Sequence, residues 1–121
     1  MELGRVSSAA LMLSGLAGVF MPKSVATALD LPATTARGVA ETRAGLGGTY
    51  AALGGWALVS RDANVQAAVG VTWLGAAGAR LGSLLIDRPR TDWTFWAYLA
   101  AEVSFGAIAL RVANVPRATV G

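Results

Sequence analysis

Four long apolar stretches dominate this chain, running roughly from Gly4 to Met21, Gly38 to Ser60, Ala63 to Ile86 and Trp93 to Ala113. In a window of about 19 residues each is long enough to cross a bilayer hydrocarbon core of about 30 Å as a helix. The runs are continuous and do not alternate. A backbone in lipid must satisfy its own hydrogen bonds, and a helix does so within one segment whereas strands must close a barrel. The expected fold class is therefore all-α, an integral membrane four-helix bundle with antiparallel up-down topology. With 121 residues there is room for one domain and little outside the four helices.

Composition points the same way. Apolar residues make up 55% of the chain and charged residues 14%, too few to cover the surface of a soluble domain. There is no cysteine and no histidine, which excludes disulfides, thiolate or imidazole metal sites, haem ligation by those side chains, and catalytic triads that need an imidazole base. No metal, cofactor, phosphate loop or nucleophile motif is expected, and the chain is not read as an enzyme. The net charge is +3, but the basic residues are scattered and form no cluster or stripe, so nucleic acid is not an expected partner. All basic residues except Lys23 are arginine, and alanine and glycine are abundant, as in a GC-rich bacterial genome. The expected location is thus a bacterial inner membrane, crossed several times.

The breaks have their own chemistry. Pro22 ends the first stretch, Arg61-Asp62 forms a polar turn, Asp87-Arg88-Pro89-Arg90 stops the third helix, and Thr91-Asp92 caps the fourth. Short turns make neighbours antiparallel. The first connection, about Pro22 to Arg37, is longer, and its Ser24 to Leu29 stretch is expected to lie as one or two helical turns at the membrane surface. Arg5, the apolar run after it and Ala26-Thr27-Ala28 imitate a secretory signal with its cleavage site, but the segment is read as a retained helix. Flanking charges leave orientation open: Arg5, Arg61, Arg111 and Arg117 face one side, and Lys23, Arg37, Arg88 and Arg90 the other. The N-terminal amine tips the balance toward an N-terminus inside.

Four ionisable residues fall within the apolar stretches: Glu41, Arg43, Arg80 and Glu102. A charge at a helix centre costs on the order of 2.5 to 3.5 kcal/mol, so lone burial is unfavourable. In an up-down bundle all four lie in the same half of the membrane. Glu102 is expected to pair with Arg80 across the last two helices, with Glu41 and Arg43 joining them or reaching the headgroups, and Asp87 holding the outer end. Such a set is either a structural lock that fixes helix order or a polar cavity that binds or moves something; a poorly paired Glu102 could carry a proton. Gly75, Gly78 and Gly82, with Ala79 and Ser83, form a small-residue stripe, and Ala44, Gly48 and Ala52 form another. These stripes suit close packing inside the bundle or a dimer face. Trp56, Trp93, Trp96 and Tyr98 fit an interfacial belt, while Trp73 is read as core or lipid-facing.

Glu41-Thr42-Arg43 leading into Gly47-Gly48, then Gly78-Ala79-Arg80-Leu81 with Asp87 beyond, and a lone Glu102 in the last helix, resemble domain of unknown function 4345, a family of small bacterial membrane proteins. A more distant similarity is to DoxX-like four-helix proteins. The resemblance implies a four-helix membrane bundle with Glu41, Arg43, Gly48, Arg80, Asp87 and Glu102 as its polar signature, and implies no activity. Thr42 departs from a pattern closer to Glu-Leu-Arg.

The expected function is that of a non-catalytic accessory or assembly subunit. Its partners are the lipid bilayer and a larger membrane protein complex or further copies of itself. The alternative is a small proton-coupled transporter or a membrane protein that binds a hydrophobic ligand. A membrane enzyme acting on quinones or lipids is a third reading.

Overall fold

The computed structural model describes the backbone of residues 2–114 and the side chains of residues 5–114, so Arg117 lies outside the described residues. The described chain is helical and contains no strand. Helix α1 spans Glu2–Phe20, α2 Pro22–Ala28, α3 Ala36–Glu41, α4 Thr49–Val59, α5 Ala63–Ile86 and α6 Trp93–Asn114. Between α3 and α4 a π-helical segment, Thr42–Gly48, keeps right-handed helical dihedrals at both joints, so residues 36–59 form one unbroken rod.

Each boundary has a local cause. Pro22 lacks an N–H and sits at the first position of α2, where none is needed, and the axis turns by 114° between α1 and α2. Helix α2 therefore forms within the stretch expected to leave the bundle axis. It closes on a left-handed Asp30 (φ 58°), with the Leu31 amide donating to Ala26 O at 2.7 Å and the Asp30 amide to Thr27 O at 3.0 Å. This paired closure usually uses glycine, and a residue with a Cβ gives up roughly 1–2 kcal/mol to adopt it. Thr35 caps α3 through the Gly38 amide at 3.0 Å, and Asp62 caps α5 through the Asn64 amide at 2.8 Å. Asp92 accepts from the Thr94 and Phe95 amides at 3.1 and 3.2 Å and so opens α6.

Packing rests on small residues. Helix α1 runs antiparallel to the 36–59 rod, and a Cβ added to Gly18 would lie 2.6 Å from Leu46 O, while one on Gly47 would lie 2.7 Å from the Val19 nitrogen. At Gly15 and Gly54 an added Cβ would collide with the backbone nitrogens of Ala51 and Met12. The two backbones touch, which only glycine permits. The π segment, rich in glycine, carries Gly47 into this contact. Helices α5 and α6 pack antiparallel in a second seam, where Gly70 faces Leu110 and Gly106 faces Leu74. Helix α1 also touches α5 and α6, so it joins the two pairs. The buried centre is correspondingly fine-grained: Leu11, Ala57, Val69 and Ala109, with Tyr50, Leu53, Val65 and Trp73 packed against it.

Within the chain the expected packing glycines are not the ones that pack. An added Cβ at Gly75, Gly78 or Gly82 would meet nothing within 4 Å, and at Gly48 only Arg43 O at 3.7 Å. Sequence spacing places Gly75, Gly78 and Gly82 on one stripe of α5, but that stripe faces away from α6 and α1. Large apolar side chains are likewise outside, among them Val6, Leu13, Phe20, Val59, Leu85 and Ile86. Helices α5 and α6 are each long and apolar enough to cross a membrane, and α1 and α2 reach that length and hydropathy only when taken together across their 114° bend.

These contacts separate two groups of glycines. Gly15→Ala or Gly47→Ala loses about 1–3 kcal/mol from backbone crowding, seen as a lower thermal midpoint in detergent. Gly75→Ala leaves that midpoint unchanged or raises it.

Candidate functional site

The best-built polar feature joins α5 and α6. Phe95, Tyr98 and Glu102 follow one another at spacings of three and four, so they form one stripe of α6 that faces the last turns of α5. Across it, Arg80 donates from Nε to Glu102 Oε1 at 2.8 Å and from Nη2 to Oε2 at 2.9 Å. The pair is bidentate, the geometry in which a planar guanidinium matches a carboxylate. Glu102 is only 6% exposed, and the Arg80 side chain is about one-fifth exposed. The Arg80 guanidinium carbon lies 5.1 Å from the Phe95 ring centre and 5.6 Å from that of Tyr98. Two aromatic faces thus take up part of the cation that the carboxylate does not cover.

The other charged residues disperse. Glu41 is exposed and accepts from Arg37 Nε at 3.0 Å, one turn earlier on the same helix. Arg43 donates from Nη1 to Val19 O. This contact caps a carbonyl left open where α1 breaks before Pro22, a use of arginine at helix C-termini. Asp87 ends α5 and accepts from Ser83 Oγ at 2.6 Å. The structure therefore brings Arg80 and Glu102 together and leaves Glu41, Arg43 and Asp87 in separate local contacts. The physical reason is reach: each of these three finds a partner within its own turn or on the adjacent helix end, in exposed surroundings. Helix spacing alone did not reveal those nearer partners.

A second polar set, uncharged, lies elsewhere in the bundle. Ser7 and Ser8 are fully buried on α1. Ser7 Oγ donates to Phe105 O at 2.8 Å, and Ser8 Oγ donates to Gln66 Oε1 at 3.3 Å. Gln66 Nε2 donates to Ala57 O at 2.8 Å, and Trp73 Nε1 donates to Ser7 O at 3.3 Å. This network links α1, α4, α5 and α6, and the Trp73 ring lies 5.2 Å from that of Phe105. The signal was present in sequence as a lone Gln66 and paired serines in apolar runs; attention to formal charge overlooked it.

A cavity of about 350 Å³ opens beside Arg80, between the end of α2, the α5–α6 turn and the first turns of α6. Asp92 lies on its rim. The Thr94 hydroxyl, then the Phe95 and Thr94 amides, hold the Asp92 carboxyl below its ordinary range. Among the described residues no three acidic side chains gather to hold a metal ion. The arrangement can fix helix order and present guanidinium, hydroxyl and carboxylate groups to a bound molecule.

Two outcomes follow. Glu102→Ala leaves Arg80 without its partner and loses about 3–5 kcal/mol of stability, whereas the Arg80→Met, Glu102→Leu double variant regains most of it; thermal unfolding in detergent reads both. For Asp92 the lowered carboxyl means that its stabilising effect is complete above about pH 4 and is lost as pH falls through the lowered value. The amide resonances of Thr94 and Phe95 therefore shift on acidification, and Asp92→Asn flattens that titration.

The chain has no significant match among protein-family models, curated proteins or solved structures.

Proposed function

We propose that this chain is a four-span integral membrane protein that acts without catalysis, as an accessory or assembly subunit docked through its α5–α6 hairpin to a larger membrane protein complex. The observation that carries the reading is the open small-residue face of that hairpin.

Lengths and pairing support four spans. At about 1.5 Å per residue, α5 and α6 extend about 36 and 33 Å, and the 36–59 rod about 36 Å. That rod lies against α1 over backbone contacts from Gly18 to Met12, so whatever slab α1 crosses, the rod crosses too. The charged residues at its start, Arg37, Glu41 and Arg43, are exposed, as expected of residues at headgroup depth. The large apolar side chains outside the fold would be a liability in water and suit lipid. Arginine-rich, alanine- and glycine-rich composition supports a bacterial cell membrane.

The outer faces differ by side. On α1 the exposed residues include Val6, Leu13 and Phe20, shapes that lipid chains cover well. On α5, Ala68, Val71, Gly75, Gly78, Gly82 and Leu85 recur at alternating spacings of three and four and face outward, exposed or half-buried. On α6, Ala97, Ala100, Ser104 and Ala107 do the same. This is the spacing of a helix-packing seam, and small residues let a partner backbone approach closely in lipid. The closed Arg80–Glu102 pair supports a structural role over proton transport, since both carboxylate oxygens are held by one guanidinium.

Gentle detergent extraction of the native membrane, followed by mass spectrometry of what accompanies the chain, tests the proposal. A larger membrane protein is expected in fixed ratio. Gly78→Leu removes it while leaving the thermal midpoint of the isolated chain in place. Recovery of the wild-type chain alone contradicts the reading, and recovery of only a second copy replaces it with a homo-oligomer.

A further inference from the structure

The cavity beside Arg80 is lined by groups of both signs. Arg80 and Arg90 bring guanidinium groups to it, Asp30 and Asp92 bring carboxylates, and Thr27, Thr91 and Thr94 add hydroxyls. Phe95 and Tyr98 form an aromatic wall, and Arg80 is stacked against both rings.

These groups are not equally free. Glu102 takes Nε and Nη2 of Arg80, and among the described residues no partner engages Nη1. Asp92 is spent on capping α6. Arg90 and Asp30 form no ion pair among the described residues. The available recognition elements are therefore one full guanidinium, the remaining edge of a second, and one carboxylate. Asp30 is held at the end of α2 in the left-handed conformation, its φ 58°, where glycine would fit with less strain. Ala28 and Leu29, at the end of α2, line the same wall.

A purely anionic ligand would meet the Asp30 carboxylate, and a purely cationic one the two arginines. A molecule with both charges close together satisfies the whole wall. The volume, about 350 Å³, suits a polar headgroup. We propose that this cavity binds a zwitterionic phosphoethanolamine group, its phosphoryl oxygens on Arg80 and Arg90 and its primary ammonium on Asp30. The group is that of an ethanolamine phospholipid, or of free phosphoethanolamine, which shares the chemistry. The lipid source rests on the membrane placement proposed above. The binding itself needs no protein partner, so its success or failure is independent of the assembly role.

The test uses the full chain in non-ionic detergent, with binding followed by native mass spectrometry. The probes are lysophosphatidylethanolamine, lysophosphatidylcholine, lysophosphatidylglycerol and free phosphoethanolamine. The ethanolamine lysolipid is expected to bind about tenfold tighter than the other two lysolipids, because choline lacks N–H donors and glycerol lacks the cation. Asp30→Asn removes that preference over the glycerol headgroup. Arg90→Gln weakens all three lysolipids. Asp30→Gly, which relieves the backbone, separates loss of the carboxylate from loss of fold: binding falls while the thermal midpoint holds or rises. If free phosphoethanolamine binds as well, the source is soluble; if only the lysolipid binds, the source is the membrane. Equal or tighter binding of lysophosphatidylglycerol, or unchanged ethanolamine binding in Asp30→Asn, overturns the proposal.

Discussion

Everything in this fold depends on two backbones being allowed to touch. Gly15, Gly18, Gly47 and Gly54 let α1 lie directly on the 36–59 rod, with no side chain between them over much of the contact. In lipid the hydrophobic effect does not hold helices together, so dispersion over a close interface and a few interhelical hydrogen bonds must do so. Helix α1 then reaches α5 and α6 as well, and the hydrogen bonds of Ser7, Ser8, Gln66 and Trp73 tie α1, α4, α5 and α6 together. The polar residues are few, and the buried ones are satisfied among the described residues.

The sharp turn at Met21 and Pro22 is the second feature on which the fold depends. Because α1 stops there, Arg43 can reach Val19 O from the π-helical segment, and α2 swings aside toward the α5–α6 turn. The end of α2 thereby becomes one wall of the cavity beside Arg80. The break at Met21 and Pro22 thus shapes the cavity that Arg80 lines. Arg80 serves both the helix pairing and the candidate binding.

Sequence made the element ends legible because their causes are local. Proline at 22, the Asp62 and Asp92 caps and the aspartate-arginine turn after Ile86 act within one helical turn, and the helices begin and end within about two residues of where those signals fall. The Arg80–Glu102 pair was legible too, since two helices joined by a short turn must bring equal depths together. Glycine roles were not. Gly70 and Gly106 pack while Gly75 and Gly78 do not, although all four sit in similar surroundings in the sequence. Which face of α5 turns inward is set by tertiary contact, and a stripe of small residues reads the same inside a bundle or outside it. Glu41 and Arg43 were illegible for a related reason: depth along a helix locates a charge, but an exposed neighbour such as Arg37, or an open carbonyl such as that of Val19, takes it first.

The central claim is that the rod of residues 36–59 crosses the membrane alongside α1, making four spans. The chain contains no cysteine, so single cysteines placed at Thr34, Arg61 and Pro89 can be labelled without background by a membrane-impermeant maleimide. The account predicts that Thr34→Cys and Pro89→Cys react from one side of sealed membranes and Arg61→Cys only from the other. Labelling of Arg61→Cys from the same side as Thr34→Cys would contradict it, because the rod would then not be a span.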